Sequence, residues 1–288
     1  MQNIKSFFAL LSKAIRYLTE NFKGVLLAIF ILYLILPSGE EIRPANVARL
    51  NLTGPIMSSE KMVEKIDALT EDKNIQGVLV VINSPGGAVA PSIEISRAIK
   101  RLALIKPVIS YAEGSLASGS YYASIWSTKI IANPGSLIGS IGVIFEGYNL
   151  ENVMDKLGVS TQVVKAGKYK QVGTFNRKWT TPEKNELQSV ISDMYELFVG
   201  DVAKARNLDI TKKDRFADAH IFSAARAKSV GLIDEVATIY EAKQQLKRLT
   251  RLPKLIWQKP SFSETFLEQI SSKVLMSVES YLLQPRLK

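Results

Sequence analysis

Residues 76–82, QGVLVVI, form a continuous apolar run bounded by turn residues, and this run limits the fold more than any other stretch. A strand that is apolar on both faces is typical of a mainly parallel sheet covered by helices on both sides. Flanking segments alternate between strand and helix patterns, which predicts an α/β layered fold with crossover connections. The predicted strands are 46–53, 76–82, 107–111 and 127–134, and the predicted helices are 59–71 and 91–103.

The second half of the chain continues the pattern and adds a long helix. Strands are predicted at 138–145 and 159–165 around a helix at 149–157. Thr181 is a suitable N-cap for an amphipathic helix that begins at Pro182 and continues to about Arg206. A short helix at 223–230, a strand at 232–236 and a helix at 239–250 complete the predicted domain.

An apolar segment near the N-terminus predicts attachment to a membrane. Residues 24–36, GVLLAIFILYLIL, are uncharged, follow several basic residues and precede Glu40 and Glu41. The segment is short against the roughly 20 residues that usually span a bilayer, and a cleaved signal peptide or a buried hairpin helix are the alternatives. Because basic residues mark the cytoplasmic side, an uncleaved anchor would place the N-terminus in the cytoplasm and the rest outside.

The chain therefore divides into three parts. Residues 1–38 are predicted to be a cytoplasmic N-terminus and signal anchor, and residues 45–250 the main domain. Residues 251–288 are predicted to be an amphipathic C-terminal tail, because apolar residues recur about every fourth position from Phe262 to Leu282.

Composition excludes several kinds of chemistry. The 288 residues include no cysteine and only one histidine, His220, so neither a thiolate site nor a histidine metal cluster is available. The net charge is +10, but the cations are spread along the chain and no nucleic-acid-binding module is present. We therefore expect anionic lipid, and not nucleic acid, to be the charged partner, and we expect no metal or cofactor.

Two strand-to-helix junctions could carry acyl-transfer chemistry. The 76–82 strand leads into NSPGG at 83–87, and a second junction holds Ser118 and Gly119 in SLASGSYY. Glycines there allow close backbone approach, and the ends of neighbouring parallel strands face one crevice. The junctions could therefore supply a nucleophile and two amide donors, although glycine at a tight turn often has a purely steric role.

A general base is harder to find from the sequence. His220 lies in a segment that is predicted to be a surface loop, which favours a structural role. A lysine can serve if its pKa falls by roughly three units from about 10.4, a change of about 4 kcal/mol. Lys165, Lys168 and Lys170 follow a predicted strand, and their spacing does not choose among them.

Six motifs, taken in order, resemble the bacterial signal peptide peptidase family of membrane-anchored serine proteases, which is related to the Clp protease and crotonase folds. The resemblance covers roughly residues 45–240. The motifs are INSPGG at 82–87, SLASGSYYAS at 115–124, GSIGV at 139–143, KLGV at 156–159, AGKYKQVG at 166–173 and AKSVGLIDEV at 227–236.

The resemblance implies a role for particular residues. Ser118 matches the family's nucleophile and Lys170 its general base, although Gln171 replaces the acidic residue that usually follows the base. The oxyanion donors would be the N–H groups of Gly119 and of Gly87 or Gly86. Ser140 could orient the lysine, and His220 stands where the family has an arginine, which again favours a role outside catalysis.

The same resemblance implies repeated ββα layers and a Ser/Lys peptidase domain over 45–250. It implies cleavage of hydrophobic peptides such as leftover signal peptides, at the periplasmic side of the inner membrane. It also implies a homo-oligomer with active sites at subunit interfaces. A crotonase-like acyl-CoA enzyme and an inactive membrane scaffold of the same fold are the alternative functions.

Overall fold

The computed structural model describes residues 13, 16, 19–35 and 44–259. Contacts divide the chain into two compact units, Met1–Pro44 and Ala45–Lys288. In the first unit, Phe22–Ile35 form an apolar helix, α1. None of the helices in the described ranges has the length and apolar character to cross a membrane. The predicted anchor (1–38) and tail (251–288) both extend beyond the described residues.

Seven strands form the sheet of the second unit, in the order β1-β2-β3-β4-β7, with β5 pairing to β3 and β6 pairing to β5. All pairs are parallel except β5 with β6. The strands are β1 (Ala48–Thr53), β2 (Val78–Ser84), β3 (Val108–Ala117), β4 (Lys129–Ala132), β5 (Leu137–Gly139), β6 (Ile221–Ser223) and β7 (Glu235–Val236).

Helices cover both faces of this sheet, as the apolar β2 sequence predicts. Val78, Val80 and Ile82 belong to one hydrophobic core, and Leu79 and Val81 to a second core on the other face. The helices of the second unit are α2 (Glu60–Glu71), α3 (Val89–Ala103), α4 (Gly119–Ser124), α5 (Glu151–Lys156), α6 (Thr181–Arg206), a 3-10 helix (Ile210–Arg215), α7 (Ala224–Ser229) and α8 (Ile239–Thr250). The predicted mixed α/β fold is confirmed.

Strand β3 is twice as long as predicted and joins two parts of the sheet. Its first half pairs with β4 through Ile109–Ala112, and its last residues, Ser115–Ala117, pair with β5. On the other edge, β3 pairs with β2, and after a register shift between Ile82 and Ser84 the pairing resumes with Ser84 opposite Leu116. The end of β3 is therefore held from both sides.

Three predicted strands are wrong in whole or in part. The 138–145 strand is reduced to Leu137–Gly139, the 232–236 strand is reduced to Glu235–Val236, and residues 159–165 form no strand. Every residue of 159–165 is exposed, so the segment has no neighbouring strand to complete its backbone hydrogen bonds within one subunit.

The long helix α6 begins one residue earlier than predicted. Its N-cap is Thr180, not Thr181, and Pro182 is in the second position. The Glu183 carboxylate accepts hydrogen bonds from the Thr180 N–H at 2.9 Å and from the Arg177 guanidinium at 2.9 and 2.7 Å. The Arg177 and Thr180 hydrogen bonds lower the pKa of Glu183 to about 2. This carboxylate therefore fixes the chain segment that leads into α6.

We expect Glu183→Gln to destabilise the protein at neutral pH. Because the pKa of Glu183 is lower in the folded state, the stabilisation is complete above its unfolded value of about 4.3 and is lost as pH falls toward 2. Chemical denaturation at pH 7, 4 and 3 should show a lower free energy of unfolding for the variant than for wild type. This difference should decrease as pH falls. Glu186→Gln, at an exposed position of α6, is the matched control and should leave stability almost unchanged. A difference in the free energy of unfolding that stays constant with pH would contradict the proposed role of the ionised Glu183 carboxylate.

Candidate active site

Ser118 occupies the sharp junction between β3 and α4. Its backbone is left-handed (φ 54°, ψ −125°), which is uncommon for a residue with a side chain and costs conformational energy. The Ser118 N–H donates to the Gly139 carbonyl at 2.7 Å, so β5 holds the junction in place. The residue is half-buried and stands at the N-terminus of α4. This geometry presents the hydroxyl at the end of the sheet, as the sequence predicts.

The turn after β2 packs directly against this junction. A Cβ atom on Gly86 would lie 2.5 Å from the Gly119 nitrogen and 2.8 Å from the Ser118 Cβ. A Cβ atom on Gly119 would lie 2.2 Å from Ser92 Oγ and 3.2 Å from the Gly87 nitrogen. Both positions therefore need glycine for a steric reason, and the absence of side chains brings the two turns into contact.

The contact places two backbone amides beside the hydroxyl. The Gly86 N–H donates to Ser84 Oγ at 3.2 Å and is already used. Within the described part of the chain, the Gly87 and Gly119 N–H groups have no hydrogen-bond acceptor. Two such amides can stabilise the negative oxygen that forms when a carbonyl is attacked. Of the predicted oxyanion donors, Gly87 and Gly119 therefore have a free amide. Gly86 does not, and glycine is needed there because a side chain would collide with the neighbouring turn.

A cleft of about 330 Å³, a volume that includes the open solvent at its mouth, lies beside Ser118. Its walls come from the turn after β2, from α3, α4 and α6, and from Gly142 and Val143. Apolar side chains dominate, and none of the lining residues is acidic: Gly87, Val89, Ser92, Ile93, Ser118, Gly119, Tyr122, Gly142, Val143, Met194, Leu197 and Phe198. Such a cleft is suited to an apolar side chain next to the attacked carbonyl.

An ionic hydrogen-bond cluster joins the three helices around the cleft. Asp201 of α6 accepts from the Tyr122 hydroxyl of α4 at 2.5 Å and from Arg97 of α3 at 2.8 Å. The Tyr122 hydroxyl stays protonated, because burial and the Asp201 hydrogen bond both raise its pKa. Asp201 thus fixes α3, α4 and α6 relative to one another. Sequence reasoning missed this residue, since no local pattern distinguishes it from the other acids of α6.

Ser140 and His220 support the segment that holds the Ser118 junction. Ser140 also has a left-handed backbone (φ 50°), and its N–H donates to the His220 carbonyl at 2.8 Å. The His220 side chain is exposed. Its backbone carbonyl fixes Ser140, which directly follows Gly139, the residue whose carbonyl accepts the Ser118 hydrogen bond. Ser140 is half-buried and adjoins this segment, so an accessory role remains a prediction.

The structure does not place the predicted base in the cleft of its own subunit. Lys170 is exposed in the segment between α5 and α6, its N–H donates to the Gly167 carbonyl at 3.3 Å, and it is not among the cleft residues. Lys165 and Lys168 are exposed in the same segment. One subunit therefore brings together Ser118, Gly87 and Gly119, and the pairing of Ser118 with Lys170 remains a prediction.

These features define a serine hydrolase site on an α/β sheet, and comparison with known proteins gives the family. The model of Peptidase family S49 matches residues 100–253. A putative protease of Synechocystis sp. is 41% identical over 209 residues, covering 72% of this chain and 75% of that protein. A putative signal peptide peptidase SppA of Enterococcus faecium is 32% identical over 194 residues, covering 67% of this chain and 56% of that protein.

The chain belongs to Peptidase family S49 and is a serine protease of the signal peptide peptidase type. Among solved structures, a ClpP1 variant from Listeria monocytogenes is similar, with a TM-score of 0.46 and 17% sequence identity. That match covers 66% of this chain and 90% of the other. The assignment of the fold here depends on the sheet topology described above.

We expect Gly119→Ala to reduce peptidase activity by about 10²-fold, because the new methyl group collides with Ser92 and displaces the junction while the amide remains. Steady-state hydrolysis of a hydrophobic peptide measures the effect. Adding Ser92→Gly removes both colliding side-chain atoms and should restore part of the activity, at a cost of about 0.5 kcal/mol in helix stability.

Gly200→Ala is the matched control, since a Cβ atom there meets nothing within 4 Å. It should leave activity unchanged. Full activity of Gly119→Ala would contradict the close approach of the two turns.

Proposed function

We propose that this chain is a serine endopeptidase in which Ser118 is the nucleophile and Lys170 the general base. The observation that carries the proposal is the left-handed Ser118 junction beside two amides without acceptors and an apolar cleft. Neutral Lys170 takes the hydroxyl proton, and Ser118 Oγ attacks the peptide carbonyl. The Gly87 and Gly119 amides hold the oxyanion. The lysine then returns the proton to the leaving amine, and water releases the acyl-enzyme.

The proposed substrates are hydrophobic peptides, such as leftover signal peptides. The apolar lining of the cleft supports this choice, and the E. faecium relative carries the name signal peptide peptidase. A crotonase-like acyl-CoA enzyme would need an acid or base in the crevice. The lack of any carboxylate among the cleft residues disfavours that alternative.

We further propose that the active enzyme is a homo-oligomer in which Lys170 meets the Ser118 of a neighbouring subunit. The segment that holds Lys170 is unusually apolar for exposed chain. Its exposed side chains include Ile144, Tyr148, Leu157, Val164 and Phe175. Large apolar side chains exposed in this number favour burial against another protein. Burial there would also remove water from the lysine, which favours its neutral form.

The membrane anchor remains part of the proposal. Helix α1 has the sequence FKGVLLAIFILYLI, and Lys13, Arg16 and Lys23 lie before or near its start. Such a distribution supports a single pass through the inner membrane with the N-terminus in the cytoplasm and the catalytic unit on the periplasmic side.

We expect Ser118→Ala and Lys170→Met each to reduce hydrolysis of a hydrophobic peptide by at least about 10³-fold, because each removes a group that acts in every turnover. Circular dichroism should show that both variants keep the fold. Lys165→Met and Lys168→Met are the matched controls and should retain activity. Substantial turnover by either of the first two variants would refute the assignment.

Mixing the two inactive variants tests the shared site. If Ser118 and Lys170 come from different subunits, random mixed oligomers regain about one quarter of the wild-type sites, because an intact pair forms wherever the two variants meet in the right order. The variants are dissociated, mixed, reassembled and assayed against each variant treated alone. No recovery in oligomers shown by mass spectrometry to be mixed would place both residues in one subunit.

A further inference from the structure

The segment that begins with helix α8 carries a strong local positive charge. Between Glu241 and Lys259 the sequence has no acidic residue, whereas the molecule as a whole mixes both signs. Six cations occur there: Lys243, Lys247, Arg248, Arg251, Lys254 and Lys259. In the ranges that the structure describes, none of the six lies within ion-pair distance of a carboxylate. Their charge is therefore available to a partner.

Helix α8 holds three of these cations: Lys243 and Lys247, which are half-buried, and Arg248, which is exposed. Ala242 and Leu246 are fully buried against the sheet, so the opposite side of α8 faces outward. Tyr240, Lys243 and Lys247 follow one another on that side at helical spacing, and Tyr240 is 68% exposed. The Lys243 ammonium lies 5.6 Å from the centre of the Trp257 ring. We call this surface, formed by the outer side of α8 and residues 251–259, the basic α8 face.

The basic α8 face adjoins the start of the second unit. The Asn46 and Val47 N–H groups donate to the Ile256 carbonyl at 2.8 and 3.2 Å, and the Gln258 N–H donates to the Val47 carbonyl at 2.9 Å. Residues 36–45 separate α1 from Asn46 in the sequence, and ten residues span at most about 36 Å. An α1 held in a membrane, as proposed above, would keep the basic α8 face within that reach of the lipid headgroups.

From these observations we propose that the basic α8 face is a docking surface for anionic lipid headgroups. Clustered lysine and arginine side chains are attracted to anionic lipid, and tyrosine and tryptophan favour the interface between lipid and water. The combination of both residue types beside the segment that follows α1 favours a membrane over a nucleic acid. The inference rests in part on the proposed anchor.

Docking through this face would leave the active site open. Helix α8 packs on one core, whereas α3, α4 and α6, which line the Ser118 cleft, pack on the core at the other face of the sheet. The lipid surface and the cleft therefore lie on opposite sides of the sheet. In this arrangement the substrate reaches Ser118 from the aqueous side.

The absence of cysteine allows a direct test on the full chain. Gln244→Cys places a unique thiol on the basic α8 face, and Glu186→Cys places one at an exposed position on α6 as the control. Each is labelled with a fluorophore and reconstituted into vesicles containing phosphatidylcholine, with or without about 30% phosphatidylglycerol, and a headgroup nitroxide quencher.

We expect quenching at position 244 to rise at least twofold with phosphatidylglycerol and to return to its starting value in about 0.5 M salt. Position 186 should not respond. Lys247→Glu combined with Arg248→Glu and Arg251→Glu should abolish the response at position 244. The proposal would be overturned if quenching at position 244 did not depend on phosphatidylglycerol, or if it persisted in the variant with all three substitutions. It would also be overturned if a single-stranded oligonucleotide, and not phosphatidylglycerol, changed the fluorescence at position 244.

Vesicle flotation separates this inference from the anchor. If α1 is an anchor, the chain floats with both lipid compositions, whatever happens at position 244. If the anchor fails and the basic α8 face binds, the chain floats only with phosphatidylglycerol. Flotation with both lipids but no quenching at position 244 would refute the docking surface and leave the anchor supported. Peptidase assays in detergent test the roles of Ser118 and Lys170 without any membrane.

Discussion

The site depends on the contact between two turns that only glycine permits. Gly86 and Gly119 approach so closely that a methyl group on either would strike the other turn or Ser92. This contact sets the position of the Gly87 and Gly119 amides relative to Ser118. The sheet makes the contact possible, because parallel pairing of β2 with β3 brings both carboxyl ends to the same edge. The contact between these two turns therefore links the sheet topology to the geometry of the candidate active site.

The surrounding structure stabilises a junction that is strained by itself. Ser118 and Ser140 both have left-handed backbones, and each is fixed by a backbone hydrogen bond, to Gly139 and His220 respectively. Asp201 then connects Tyr122 and Arg97, so the helices that flank the junction cannot shift independently. Strain of this kind persists only where neighbouring elements determine the geometry together. The hydroxyl is thus positioned before substrate arrives, which lowers the reorganisation needed for attack.

Sequence reasoning succeeded where the determining interactions are local. The β2 strand follows from its unbroken apolar run, and the Ser118 and Gly87 junctions follow from glycine beside a strand end. It failed for 159–165, whose alternating composition suits a strand, because a strand also needs a partner and one subunit offers none. Asp201 was missed for a related reason: its importance comes from Tyr122 and Arg97, which are 79 and 104 residues away in sequence.

The failed strand and the exposed Lys170 lie in the same segment of the chain. Residues 144–175 expose large apolar side chains such as Ile144 and Leu157, leave the 159–165 segment without a strand partner and leave Lys170 exposed to water. In the proposed homo-oligomer, one contact with a neighbour would cover the apolar side chains, offer the 159–165 segment a pairing partner and remove water from Lys170. Such a contact would bury apolar area and strip water from the lysine in the same step. Assembly and the activation of the base would then be a single event, and an isolated subunit would hold a nucleophile with no group to deprotonate it.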